Sequence, residues 1–354
     1  MKQSSSAKSK PAYVAGIEIP SFSDLRLFDT CPRLWYEQNV TKEYEQPEED
    51  YFIYGSLVDA MLTDPESVEK RFCKVARRVK DGTGMELIGE MKALEAEIQA
   101  LEADLAKKDN RVKAKGLAAR KLKLEALSKD VKAIRSNGDK TQVVPSIWDN
   151  AVETADAIKR NPLWVEIEQM AKAGCAIFQH QMYAPDIALK GTPDVILGSK
   201  SALALLKLYA TGNTELEYVR ETYSIDPTPF TIVDIKTCAR LTEFDPKKYY
   251  AGQLATYRAM IQSITGAEDV SCLILAGDKD PNRKLAQDYA FTREDMDRAL
   301  QSVARVRDLF REAIAIGTSE AFPAAKHLYG REQTCLRCSE CKERPYSSNG
   351  PLIV

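Results

Sequence analysis

The chain has 354 residues, of which 44% are hydrophobic and 29% charged, and carries a formal net charge of −2. This is the balance of a globular protein with a densely charged surface, and it excludes a whole-molecule electrostatic pull on nucleic acid, so any DNA contact must rest on local basic patches. No apolar run reaches the roughly eighteen residues of a membrane span, and the eight cysteines, with no secretory signal before them, point to reduced thiols in a cytosol rather than to a disulfide scaffold.

Residues 1–18 are polar and lysine-containing and read as a disordered tail. The folded part opens at Pro20-Ser-Phe-Ser-Asp24, where Ser21 or Ser23 caps a helix carrying Leu25, Leu27 and Phe28. Cys31 precedes a proline, which disfavours helical geometry and predicts a break there. A second helix runs through Gly55-Ser-Leu-Val-Asp59-Ala-Met-Leu62, entered at its glycine. Asp59 interrupts its apolar face and reads either as a solvated residue or as a carboxylate that is paired or metal-bound.

From Met85 to about Arg135 charged residues and alanine dominate. Leu87, Met91, Leu94, Ile98, Leu101 and Leu105 fall at alternating spacings of four and three, an a/d heptad seam. Lys108-Asp-Asn-Arg111 interrupts it, and Leu117, Leu124, Leu127, Val131 and Ile134 resume it, so 85–138 is expected to form an antiparallel helical hairpin ending at Asn137-Gly138. Such an arm is either purely structural or a surface for assembly, a partner or DNA.

Ile147 to about Ala173 reads as helix, followed by an antiparallel strand pair, Cys175–Tyr183 with Ile187–Leu197. Residues 200–228 form an insertion without a clear pattern. A strand through Thr231-Ile-Val-Asp-Ile-Lys-Thr237, a helix from Pro246 to about Ser263, a buried strand Val270–Ala276, an edge strand Leu285–Thr292 and an amphipathic helix Arg293–Ile316 complete an α/β core with a mixed sheet. The expected organisation is an N-terminal helical part (19–84), the hairpin (85–138), a core (139–320) and a C-terminal cysteine segment (321–354).

Two constellations carry chemistry. Asp234 and Lys236 sit two apart on a strand and so share a face, and Gly191-Thr-Pro-Asp194 delivers a second carboxylate at the start of an apolar run. Two carboxylates and water suit Mg²⁺ or Mn²⁺, with Lys236 beside an activated water; the bland alternative is a salt bridge at a strand end. The other constellation is Cys335-x-x-Cys338-x-x-Cys341, three thiolates that lack a fourth soft ligand for Zn²⁺ or a cubane iron–sulfur cluster, with His327 one candidate. Cys73, Cys175, Cys238 and Cys272 sit in apolar or strand contexts and read as packing residues. Two histidines are too few for a His-based metal hydrolase, and there is neither a P-loop nor a Gly-rich dinucleotide turn.

Gln253 and Tyr257 lie four apart on the helix after the Asp234 strand, hence on one face. Asp-x-Lys followed by Gln-x-x-x-Tyr, with Ser23-x-Leu-x-x-Phe-x-x-Cys31-Pro32, Gly55-x-x-x-Asp59 and Pro193-Asp194 upstream, resembles the RecB-like branch of the PD-(D/E)XK nuclease superfamily, which includes phage-recombination exonucleases. The likeness spans most of the chain outside the hairpin and the 200–228 insertion. It implies a restriction-endonuclease-like core, a mixed central sheet flanked by helices. It further implies metal bound by Asp59, Asp194 and Asp234, a catalytic Lys236, and Gln253 and Tyr257 placing the DNA backbone. Asp59 stands where the family often has histidine. The resemblance also supplies Cys31 as the fourth ligand of a 4Fe–4S cluster with Cys335, Cys338 and Cys341, although the final gap is shorter than usual and Zn²⁺ is the alternative. The expected function is metal-dependent DNA hydrolysis, most simply as an exonuclease in recombination, repair or phage DNA processing, in the cytoplasm of a bacterial or phage-infected cell. DNA is the expected partner, with a helicase or recombination protein and a homo-oligomer as further candidates. The competing expectation is a catalytically silent DNA-end-binding or assembly protein that retains the fold.

Overall fold

The computed structural model describes residues 19–44, 49–75, 85–107, 111–137, 140–210, 229–280 and 283–323. The expected tail, residues 211–228 of the insertion, His327 and the Cys335–Cys341 motif lie outside the described residues. The described chain divides into two compact units, one built from residues up to 44, 160–278 and 285–323, the other from 49–159 with the described part of 279–284. Among the described residues no helix is long and apolar enough to cross a membrane.

Helix α1 (Phe22–Thr30) starts at Ser21, whose hydroxyl accepts from Asp24 N while Asp24 accepts from Ser21 N, a reciprocal capping box. Its apolar side buries Leu25 and Phe28. The expected break falls at Cys31, extended at φ −161°, and Pro32 opens the short α2 (Pro32–Tyr36) as its first residue.

The inserted unit begins with α3 (Asp50–Thr63), which starts five residues ahead of Gly55 rather than at it and packs against α7 (Pro145–Lys159). Between them come α4 (Val68–Arg71), β1 (Phe72–Lys74), α5 (Met85–Lys107), α6 (Arg111–Asn137) and β2 (Thr141–Val143). Helices α5 and α6 form the antiparallel hairpin that the heptads predict, about 35 and 40 Å long at 1.5 Å per residue. Arm-to-arm pairs Asp104–Lys113 (2.6 Å) and Glu97–Arg120 (2.8 Å) set the direction. These exposed pairs contribute at most about 1 kcal/mol each, so the seam holds the arms together. Leu87, Leu94 and Ile98 of one arm bury with Leu127, Val131 and Ile134 of the other, and with Cys73 and Val75 below them. A parallel β1–β2 pair ties the hairpin at its base, with Val75 N donating to Val143 O at 2.9 Å. Three residues per strand are too few to leave a periodic trace in the sequence.

The helix expected over 147–173 is two. Asn161 stops the first and caps α8 (Pro162–Lys172), its side chain accepting from Leu163 N at 2.9 Å. The expected strand pair also divides. β3 (Ala176–Phe178) pairs with β6 (Val195–Leu197), and β4 (Met182–Ala184) with β5 (Leu189–Gly191), both antiparallel. Left-handed Gln179 (φ 48°) and Ala188 (φ 51°) turn the chain between these pieces. The start of the 200–228 insertion is helical, as α9 (Lys200–Ala210).

The main sheet has the order β3-β6-β7-β8-β9, with β7 (Phe230–Cys238), β8 (Val270–Asp278) and β9 (Ala286–Phe291). β7 and β8 run parallel and the other neighbours antiparallel, so the sheet is mixed, as expected. The parallel step is crossed by α10 (Pro246–Thr265), capped by Asp245 and ended by Gly266 in the left-handed region (φ 73°). Leu254, Met260, Ile261 and Ile264 of α10 join Ile196, Ile232 and Ile274 of the sheet in the core. α11 (Arg293–Ile316), opened by a Thr292–Asp295 capping box, packs on α10 and α1. Where α1, α2 and α11 meet, Phe310 lies edge-on to Phe28 and Trp35 at 5.3 and 4.7 Å between ring centres, and Trp35 stacks on Phe322.

Candidate active site

β7 is the second of three adjoining central strands, so its residues are covered on both sides by neighbouring chain. Asp234 lies in the middle of it with only 1% of its side chain exposed. Alternation puts Lys236 on the same face, and its ammonium pairs with Asp234 Oδ2. No other donor reaches that buried oxygen among the described residues.

Asp194 leaves the Gly191–Asp194 turn one residue ahead of the register that pairs Val195 with Val233, which sets it against Asp234 and Ile235. Its Oδ2 accepts from Ile235 N at 2.7 Å, and its Oδ1 from Gln179 Nε2 at 3.0 Å. Gln179 N also donates to the Asp194 carbonyl at 3.0 Å. The left-handed turn at Gln179 therefore both breaks the strand and pins the carboxylate.

α10 closes the site. Gln253 Nε2 donates to the Tyr257 hydroxyl (2.9 Å) and to Asp234 Oδ1 (3.4 Å), and Tyr257 donates onward to Thr192 O (3.3 Å). Asp234, Gln253, Tyr257 and the Asp194 turn thus form one connected path. Tyr257 lies close over β5 because residue 191 is glycine: a Cβ there would stand 2.7 Å from Tyr257 Cε1. Gly191→Ala is expected to force the ring aside and cost about 1–3 kcal/mol of stability, as overpacking does, read as a lowered urea midpoint. On a Tyr257→Ala background, itself destabilised by loss of a buried ring, the same Gly191→Ala change should cost much less, and an unchanged midpoint in the single variant would show that the ring yields freely.

Burial works against the Lys236 charge, but the Asp234 and Asp194 carboxylates outweigh it and hold the ammonium protonated well above the usual lysine range. Burial first, and then the same two carboxylates, push the Tyr257 phenol up, so it stays a neutral hydroxyl. Tyr250 presents its ring 5.2 Å from the Lys236 ammonium. Sequence reasoning missed Tyr250, although it sits three residues before Gln253 at helical spacing. Gln179 was missed too, and nothing in the sequence around it signals its bond to Asp194.

The structure therefore brings Asp194, Asp234, Lys236, Gln253 and Tyr257 together. Asp59 lies half-buried on α3 in the other unit, where Thr63 Oγ1 donates to its carbonyl at 2.9 Å. Cys31 is fully buried at the α1–α2 break. Within the sheet unit, no three His, Cys, Asp or Glu side chains converge as metal ligands among the described residues. No known protein-family model matches the chain, and a search of curated proteins finds no significant match.

Proposed function

We propose that the chain is a metal-dependent deoxyribonuclease of the PD-(D/E)XK superfamily, akin to its RecB-like branch, that hydrolyses phosphodiester bonds at DNA ends. The observation that carries this reading is the connected path through Asp234, Lys236, Gln253, Tyr257 and the Asp194 turn, from segments that are far apart in sequence.

The donor set suits a hard divalent cation. Asp234 Oδ2 is a buried carboxylate oxygen that, among the described residues, is answered only by Lys236, and the Asp194 carboxylate is fixed against the same strand by Ile235 N and Gln179 Nε2. Asp194 and Asp234 would hold Mg²⁺ or Mn²⁺, which keeps several of its own waters and needs few protein ligands. When bound, it supplies Lewis acidity and a more acidic water. Lys236, held as an ammonium, stabilises charge developing on the phosphoryl oxygens instead of acting as the base. Gln253 fixes the rotamer of Asp234, and Tyr257 fixes Gln253 from behind.

Digestion of single- and double-stranded, linear and circular DNA with Mg²⁺ tests the reading. Loss of linear forms alone marks an exonuclease, and nicking of circles an endonuclease. End binding without cleavage in Mg²⁺ or Mn²⁺ assigns the silent DNA-end-binding role instead. With no P-loop in the chain, any ATP-driven unwinding would come from a helicase or recombination partner.

For the cysteines we propose a 4Fe–4S cluster, with Zn²⁺ the other candidate, held by Cys31, Cys335, Cys338 and Cys341. The support is local: Pro323 O accepts from Arg33 N at 3.2 Å, which brings the described chain to the residue two after Cys31, ahead of Cys335 in the sequence. The purified protein is expected to show the broad visible absorbance of an iron–sulfur centre, and Cys338→Ser to lose it. A colourless protein with stoichiometric zinc would select Zn²⁺, and a colourless, metal-free protein would remove the proposal.

A further inference from the structure

We propose that the cleft between α1, α10 and α11 seats an unpaired nucleotide of single-stranded DNA beside the active site, with Tyr249 as its stacking platform and Arg26 and Lys248 as its phosphate contacts. The inference rests on the nuclease reading and narrows its substrate to strands whose bases are unpaired where they approach the carboxylates.

The cleft encloses about 340 Å³. Its floor is apolar, with Leu25 and Val303 buried and Phe22 set so tightly on Gly252 that a Cβ there would lie 2.6 Å from the ring. Over this floor stand Arg26 and Lys248, both exposed, and Tyr249, 36% exposed, with the Lys248 ammonium 5.4 Å from the centre of the Tyr249 ring. Among the described residues neither cation is paired with a carboxylate, whereas neighbouring Lys247 is taken by Asp295 at 2.7 Å. Asp29 is the acid on the cleft wall, and Arg305 answers its charge.

The position of the cleft ties it to the chemistry. Tyr249 precedes Gln253 by one helical turn on α10 and so shares its face. Its ring centre is 6.4 Å from that of Tyr250, whose ring in turn faces the Lys236 ammonium. An exposed aromatic ring, an apolar floor and unpaired cations are what a flexible single strand needs, because every base has a face to stack and every step a phosphate to neutralise. A duplex keeps its base faces stacked inside and offers the ring nothing.

The test is fluorescence anisotropy of the full chain in EDTA, with a labelled oligothymidylate and with a blunt duplex. Tyr249→Ala should weaken single-strand binding by about tenfold, the scale of one lost base–aromatic stack, and leave duplex binding and the melting temperature unchanged. Tyr249→Phe should bind like the wild type. Arg26→Ala with Lys248→Ala should lower the slope of log affinity against log salt by about 1.4, for two phosphates of a single strand. Unchanged single-strand binding in Tyr249→Ala, or an equal loss on duplex, would overturn the proposal while leaving the nuclease reading intact. A wild-type chain that binds neither DNA would overturn this proposal, and cleavage in Mg²⁺ decides the nuclease reading separately.

Discussion

Asp234→Asn is expected to lower Mg²⁺-dependent hydrolysis of end-labelled DNA by roughly a thousandfold, on the order of 4 kcal/mol of transition-state stabilisation. The substitution keeps the shape of the side chain and removes the charge that both a cation and Lys236 need. Lys236→Met is expected to cost about a hundred- to a thousandfold, the range for removing one preorganised donor. The two variants should differ in stability. Lys236→Met leaves Asp234, 1% exposed, as a buried carboxylate without its cation, and breaking a buried pair from one side costs about 3–5 kcal/mol. Lys236 is 19% exposed, so the complementary loss in Asp234→Asn is smaller. The double variant should melt closer to the wild type than Lys236→Met does, and remain inactive. Undiminished hydrolysis in both single variants would sink the phosphodiesterase reading, whatever the melting curves show.

Phe310→Ala should destabilise the sheet unit by about 3–5 kcal/mol in urea unfolding. Phe310 is 0% exposed and sits edge-on to both Phe28 and Trp35, and edge-to-face pairs add about 0.5–1.5 kcal/mol beyond their burial. The ring is shared by α1, α2 and α11, so the surroundings cannot collapse into the cavity without moving a helix. Phe310→Leu should recover a substantial part of the loss. A cost under about 1 kcal/mol would show that the cluster is peripheral to the fold.

Much of this was legible because long elements write their period into the sequence. The heptads of α5 and α6, the amphipathic α11 and the β-branched run of β7 were readable for that reason. The site was legible where local spacing alone decides geometry, as with Asp234 and Lys236 on one strand or Gln253 and Tyr257 on one helix. What was not legible depends on single backbone torsions or on pieces three residues long. Left-handed Gln179 and Ala188 divide what reads as one hairpin, and neither glycine nor a turn dipeptide marks the spot. Asn161 divides one apparent helix by a cap that the apolar period runs straight through. The approach of Tyr257 to Gly191 joins residues 66 apart, which no window along the chain can see.

The sheet unit is discontinuous, and that governs the order in which the chain can acquire structure. During synthesis α1 and α2 emerge first, bearing Leu25, Phe28, Leu34 and Trp35, while their partner Phe310 is still about 280 residues from being made. The inserted unit follows, and its hairpin closes through near neighbours, which is entropically cheap and fast. At that stage the nascent chain carries the hairpin and an apolar helix pair whose aromatic partner Phe310 is not yet made. Those two helices, more than the sheet, are where a holdase chaperone would find its purchase until α11 arrives.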